Sequence, residues 1–344
     1  MGWGFGGWDI FDRIRDAVDA VARAAGAGAA QSDAGLSKTD LIAAIAANAP
    51  ILRYHPNEQY LPSSVEWMLE RSFLCQPASQ VQATPDNLPS TLGAPDDHLF
   101  WLQLKDDASR SGSVANAVAY VQAKPVPGQG ATDLSFWFCF PYNGPATAHL
   151  FPLADRLSLA PVGAHGGDWE TITLRIDNGA KALKRVYLAQ HAGGEWIDDL
   201  ARFARENGRI IIYCSQNAHA HYSAAGDNPS ERRTQSSPFG NIADFYLINA
   251  CADGGQSLDC AAHYQLVSAP YLGTDQPAEP AWLNFGYRWG PQVAYPSGAV
   301  TSLVAGLSAA AGSWLQSAFP SELTGEDGPT GPKTKASWTG APDA

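Results

Sequence analysis

The chain has 344 residues, 45% of them hydrophobic and only 16% charged, with 33 Gly and 24 Pro. That is ample apolar material for a large core, and the Pro and Gly load, with 11 Trp, 12 Tyr and 13 Phe, favours many short strands joined by turns over a helical bundle. Lys and Arg number 22 against 34 Asp and Glu, a formal charge of −12, which argues against nucleic acid and against charge-driven binding to anionic lipid; neutral lipid head groups, glycans, cations and basic ligands stay open.

In chain order, residues 8 to about 26 read as an amphipathic helix with Phe11, Ile14, Val18, Val21 and Ala25 on one stripe. The plain reading is a helix packed on its own domain or on a copy of itself. The sharper one is an arm for membrane contact or self-association, helped by Trp3, Phe5 and Trp8. An Ala/Gly/Ser hinge at residues 24–35 separates this arm, residues 1–35, from a single domain over 36–344. A short helix follows, with Ser37 as its N-cap, Asp40 in its first turn and Pro50 ending it.

From Ile51 onward strands and turns dominate. The clearest strands are residues 134–140, 171–176, 184–190 and 209–214, with turns at Asn143-Gly-Pro145, Asp177-Asn-Gly179 and Gly193-Gly194. Residues 197–206 read as a short helix, and 300–319 as a late helix or packed connector. The Gly/Pro-rich stretch 325–340 is disordered on composition alone. The fold class is therefore mainly β: a β-sandwich of two packed, largely antiparallel sheets with N-terminal helices and a few short inserted ones.

No apolar run approaches the ~18 residues a membrane helix needs, and Asp9, Asp12, Arg13, Arg15 and Asp16 interrupt any secretory apolar core. Cytoplasmic residence, or export without a cleaved signal, is the expectation. Cys75, Cys139, Cys214, Cys251 and Cys260 contain no Cys-x-x-Cys pair. All reduced is the favoured reading, with a Cys251–Cys260 bridge as the alternative in an oxidising compartment.

The segment that carries chemistry is Gly163-Ala-His-Gly-Gly-Asp-Trp-Glu170, running into Thr171-Ile-Thr-Leu-Arg-Ile176. If the strand begins at Asp168, period two puts Asp168 and Glu170 on the face of Ile172, Leu174 and Ile176. Two carboxylates at the edge of an apolar face repel each other and lose hydration, so they require protonation, basic partners or a bound cation. His165, on a Gly-flanked turn just upstream, supplies a nitrogen donor to the same cation. The expected ion is divalent, Mg²⁺ or Ca²⁺ by the mostly oxygen donor set, with Mn²⁺ or Zn²⁺ allowed by the imidazole. The bland reading is that the acids bond turn amides and nearby Arg side chains.

Several blocks resemble the family named after vacuolar protein sorting-associated protein sixty-two. They are Tyr54-His-Pro-Asn-Glu-Gln-Tyr-Leu-Pro-Ser-Ser-Val-Glu-Trp67, Trp137-Phe-Cys-Phe-Pro-Tyr-Asn-Gly-Pro145, Gly167-Asp-Trp-Glu170, Gln190-His-Ala-Gly-Gly-Glu-Trp196, Ala218-His-Ala-His-Tyr222, Tyr287-Arg-Trp-Gly-Pro291 and Gly328-Pro-Thr-Gly-Pro-Lys333. They span residues ~48–340 in order, and this resemblance implies that the C-terminal stretch is ordered. A more distant resemblance is to the necrosis- and ethylene-inducing-like cytolysins, β-sandwiches whose Gly-His-Arg-His-Asp-Trp-Glu heptapeptide opens a strand. That resemblance implies a divalent cation and attack on membranes through sphingolipid head groups. His165, Asp168, Trp169 and Glu170 match heptapeptide positions, Gly166 and Gly167 replace the Arg and second His, and Asn143 falls where those proteins have a further acidic ligand.

The candidate metal ligands are thus His165, Asp168, Glu170 and Asn143. His219, His191, Glu195 and Trp169 are expected around them, as supporting or ligand-binding residues. Three functions follow: a metal-binding, lectin-like or toxin-like module recognising a membrane head group or glycan; a divalent-metal-dependent hydrolase or lyase with Asp168 or Glu170 as base; and an accessory or scaffold protein with a purely structural acidic cluster. No catalytic nucleophile can be named from the sequence.

Overall fold

The computed structural model describes residues 34–90, 98–150, 154–191, 193–229, 233–237, 240–295 and 325–343. The expected helices at 8–26 and 300–319 lie outside these residues. The chain enters through helix α1 (Lys38–Asn48), where the Ser37 hydroxyl accepts from the Asp40 amide as an N-cap and Leu41, Ala44 and Ile45 are buried.

A six-stranded sheet forms the centre. Its order is β11 (Gly193–Ile197), β10 (Leu183–Gln190), β9 (His165–Asp177), β6 (Ala131–Asn143), β5 (Ala119–Val126) and β19 (Tyr264–Ser268). All neighbours are antiparallel except β5 and β19. The turn between β9 and β10 is tied by Asp177, whose Oδ1 accepts from the amides of Gly179 and Ala180. A second sheet holds β12 (Arg205–Glu206), β13 (Arg209–Cys214), β1 (Ile51–Tyr54) and β18 (Ser257–Asp259), with β14 (His221–Tyr222) paired to β13.

The two sheets bury one core. Leu134, Phe136, Phe138 and Phe140 of β6 and Ile172, Leu174 and Ile176 of β9 pack with Leu52, Ile210, Ile212 and Leu258, and α1 closes one end. The opposite face of the central sheet carries a second core of Tyr120, Trp137, Cys139 and Trp169. Over it lie helix α2 (Val65–Glu70), Trp282, Phe285 and Trp289, and Trp338 of helix α3 (Ala336–Thr339). The architecture is mainly β, as expected, but β6 is buried on both faces. That is why residues 134–140 read as a continuous apolar run and not as an alternating one.

Smaller sheets sit at the periphery. One comprises β15 (Gly226–Pro229), β17 (Gly240–Cys251), β7 (Thr147–Leu150) and β8 (Ala154–Ser158), with β16 (Arg233–Ser237) on β17. The others are β3 (Ser79–Gln82), β2 (Ser72–Gln76) and β4 (Trp101–Leu104), and the pair β20 (Gln292–Ala294) and β21 (Gly325–Asp327).

Three local expectations change, and the stretch 325–340 takes the ordered form that the family resemblance implies. Gly193-Gly194 is strand, not turn, because Gly194 lies so close to β10 that a Cβ would come 2.4 Å from the Tyr187 hydroxyl. Residues 197–206 form only a 3-10 turn, Leu200–Arg202, before Phe203 swings back into the core and β12 begins. His165 is the first residue of β9, not part of a turn. The stretch 325–340 is structured, with Thr330, Pro332 and Trp338 buried. The five cysteines are free and buried. Cys251 belongs to a small cluster with Ile51, Ile211 and Tyr213, and Cys260 to the main core.

Candidate functional site

The register of β6 on β9 places the chemistry. Asp168 faces Phe140 and Glu170 faces Phe138, in step with Ile172 on Phe136. Both acids therefore project onto the main-core face, at the end where β9 has run past its last pairing with β10, Ile172 with Leu188. Each carboxylate side chain is only 12% exposed.

Two histidines meet them, His219 from the loop after β13 and His221 from β14. His219 Nδ1 donates to Asp168 Oδ2 at 2.9 Å, its ring stacks on Phe140 at 3.8 Å, and its Nε2 is buried without a partner. His221 lies beside Phe138 with Nδ1 4.0 Å from Glu170 Oε2, and neither ring nitrogen has a hydrogen-bond partner. Among the described residues no Lys or Arg is hydrogen-bonded to Asp168 or Glu170.

The electrostatics split the two acids. Burial pushes the Asp168 carboxyl up, but the His219 hydrogen bond and the charges of His219, His165 and Lys335 outweigh it and hold it below the usual range. Burial, then the Asp168 charge, push Glu170 well up. Burial and the neighbouring His219 take His221 down to about 3, so its ring is neutral.

The other expected residues divide. His165 opens the strand opposite Asn143, and its Nδ1 lies 2.8 Å from the Gly167 carbonyl. A carbonyl only accepts, so Nδ1 carries a proton, and in the neutral ring Nε2 is then the nitrogen with the lone pair. Asn143 Nδ2 donates to the carbonyls of Gly163 and Gly144, leaving Oδ1 free of those bonds. Trp169 points to the second core, where it stacks on Trp282 at 5.6 Å. His191 Nε2 bonds Asn249, and Glu195 pairs with Arg202 at 3.1 Å. Neither contact involves the carboxylate pair. Among the described residues, no group of three or more His, Cys, Asp or Glu side chains is gathered for a metal ion. His221 is the residue that sequence reasoning undervalued; the signal was its i, i+2 spacing from His219, which matches Asp168 and Glu170.

Of the two glycines that replace Arg and His of the cytolysin heptapeptide, Gly167 has a packing reason, and Gly166 is the floor on which Gly290 lies. A Cβ on Gly167, whose φ is +64°, would lie 2.3 Å from the Trp289 carbonyl oxygen. One on Gly290 would lie 1.8 Å from that of Gly166. Beside this crossing runs a cleft of about 400 Å³, lined among others by Arg110, Tyr142, Gly166, Pro291 and Tyr295. The Arg110 guanidinium lies 4.7 Å over the Tyr142 ring and pairs with Asp107 at 2.7 Å.

A mainly β chain with paired carboxylates and imidazoles at one end of its central sheet is the class these features define. The family model of vacuolar protein sorting-associated protein 62 matches residues 31–342, and the chain belongs to that family. No curated protein matches it in sequence. Among solved structures it is similar to the non-toxic HaNLP3 protein, at 12% identity over 71% of this chain and 84% of that one, with a TM-score of 0.33. It is also similar to necrosis and ethylene inducing protein 2 from the causal agent of cocoa's witches' broom disease, at 14% identity, 67% and 76% coverage and a TM-score of 0.30. A third is NLPPya in complex with glucosamine, at 13% identity, 54% and 68% coverage and a TM-score of 0.30. Likenesses this low bear on neither function nor ligand. No helix among the described residues is long and apolar enough to cross a membrane.

Proposed function

We propose that this chain is a divalent-cation-dependent recognition protein for a neutral lipid head group or a glycan. In this reading the cation lies against Asp168 and Glu170, with His165 and His219 as nitrogen donors. The observation that carries it is electrostatic: two carboxylates, each 12% exposed, share one strand face and are met at close range by imidazoles, and the charge of Lys335, which acts on both, still leaves Glu170 pushed well up. A divalent ion relieves the repulsion that pushes Glu170 up, and the lone pair on His165 Nε2 and the unpartnered His219 Nε2 suit it. The oxygen-rich set favours Mg²⁺ or Ca²⁺, and the imidazoles admit Mn²⁺ or Zn²⁺. Asn143 offers only its Oδ1.

For the ligand, the cleft beside the crossing brings Tyr142, Tyr295 and Arg110 together, a mixture of ring faces and donors suited to a hydroxyl-rich or zwitterionic group. The net charge of −12 suits a neutral or cation-bridged ligand. The heptapeptide resemblance supports the cation and not the head group, since Gly166-Gly167 has no side chain to offer.

The test is thermal unfolding of the full chain in EDTA, then with Ca²⁺, Mg²⁺, Mn²⁺ or Zn²⁺, for wild type and Asp168→Ala. Vesicles of phosphatidylcholine with sphingolipid and a glycan array are then probed with and without EDTA. A cation-dependent rise in Tm that Asp168→Ala abolishes, with EDTA-sensitive binding that Tyr142→Ala weakens, is the expected result. No rise with any ion overturns the cation; a rise without binding to vesicle or glycan overturns the ligand.

A further inference from the structure

His219 sits in an awkward piece of backbone. Asn217 and His219 both have positive φ, +69° and +57°, in a loop where His219 N donates to the Ser215 carbonyl. Non-glycine residues adopt this region at a cost and keep it only where surrounding contacts impose it.

Those contacts converge from Glu58, 161 positions before His219 in the chain. Its Oε2 accepts from the Asn217 amide at 2.6 Å, and its Oε1 accepts from the amides of Tyr60 and Gln59 at 2.7 and 2.9 Å. The same two loops are joined by Gln216 Nε2 on the Asn57 carbonyl. Asn217 in turn ties to the end of β6, through Nδ2 on the Pro145 carbonyl and its own carbonyl on the Gly144 amide. Three N–H groups on one carboxylate are charge-assisted bonds, stronger than neutral ones.

We infer that Glu58 is a positioning residue: it latches the 215–219 loop in its left-handed conformation and so aims His219 Nδ1 at Asp168. Without the carboxylate, Asn217 and His219 relax toward negative φ and the ring leaves Asp168. This gives the His55-Pro-Asn-Glu-Gln-Tyr60 block a task at a site to which it contributes no atom. For its consequence on cation affinity the inference rests on the proposed function; for the geometry of His219 it does not.

The test uses ¹⁵N-histidine NMR of the full chain, with the His219 signals assigned by their loss in His219→Gln. Wild type shows the Nδ1-protonated ring. Glu58→Ala shifts His219 to a mixed tautomer and weakens binding of the cation that stabilises wild type by ~10-fold or more, the usual cost of removing an outer support of a metal ligand. Asp40→Asn, which removes an ion pair with Lys181 beyond the far end of β9, controls for lost stability and leaves His219 at its wild-type position. Should Glu58→Ala fail to fold, Glu58→Gln, which keeps one acceptor oxygen, replaces it and shows the same direction of change. Unaltered His219 signals in the folded Glu58 variant overturn the inference. If wild type takes up no cation yet His219 moves on Glu58 substitution, the proposed function fails and the latch stands.

Discussion

Asp168 and Glu170 are two residues apart on one strand face, yet their carboxyls are displaced in opposite directions. One source of the difference is a hydrogen bond: His219 reaches Asp168 at 2.9 Å, whereas His221 Nδ1 stays 4.0 Å from Glu170. Desolvation acts on both; at Asp168 the hydrogen bond and the charges of His219, His165 and Lys335 outweigh it, and at Glu170 the Asp168 charge adds to it. The same balance is simpler at the rim of the second sheet, where both terminal nitrogens of Arg209 hold Asp259. The Arg209 hydrogen bonds take that carboxyl down to about 2, against burial. A carboxylate whose folded pKa is depressed contributes stability above its unfolded value, and that contribution is lost as pH falls through the folded one. The urea midpoint of wild type is therefore expected to decline between about pH 4 and pH 2 more steeply than that of Asp259→Asn. The difference shrinks in high salt, because the pair is partly exposed. Equal slopes would remove Asp259 from the acid response.

Among the elements, β9 and the segment around Trp289 depend on having no side chains where they cross. Gly290→Ala forces a Cβ to within 1.8 Å of a backbone oxygen of β9, which neither main-chain segment can yield, and a loss of several kcal/mol or failure to fold is expected. Gly193→Ala meets nothing within 4 Å and is expected to be neutral or to gain up to ~1 kcal/mol by restricting the unfolded chain. Thermal melts of the two variants side by side check both. Much of this was legible beforehand. The alternation of Thr171–Ile176 put Asp168 and Glu170 on the right face, and Ser37, Asp40 and Pro50 bounded α1 as read. The crossing was not legible, because Gly166 and Gly167 read as flexibility when they mark a close approach by residues more than a hundred positions later. Nor was the turn of Asn143 toward Gly163, since spacing reports which strand end a side chain occupies and not which bond it makes.

At the scale of the molecule, the central sheet is a wall with a core on each side. The second core is completed from the end of the chain: Trp338 packs on Trp137 at 5.7 Å, and Lys124 Nζ holds the carbonyls of Ser337, Trp338 and Gly340. Composition alone pointed to disorder here, because Gly and Pro serve equally in a loose tail and in one laid flat against a sheet. A chain lacking residues 325–344 is expected to lose Tm by more than 10 °C and to bind a hydrophobic dye, with Trp137 uncovered; a melt matching full length would refute this.

The crossing of Gly166, Gly290 and Gly328 also orders events in time. A Cβ on Gly328 would strike the Gly290 backbone at 2.3 Å, as one on Gly290 would strike Gly166. Three stretches of main chain thus close in sequence of synthesis, the last emerging from the ribosome some 160 residues after the first. Contacts so remote form late. Asp168 and Glu170 therefore belong to a strand whose packing at this crossing waits for residues 290 and 328 to be synthesised.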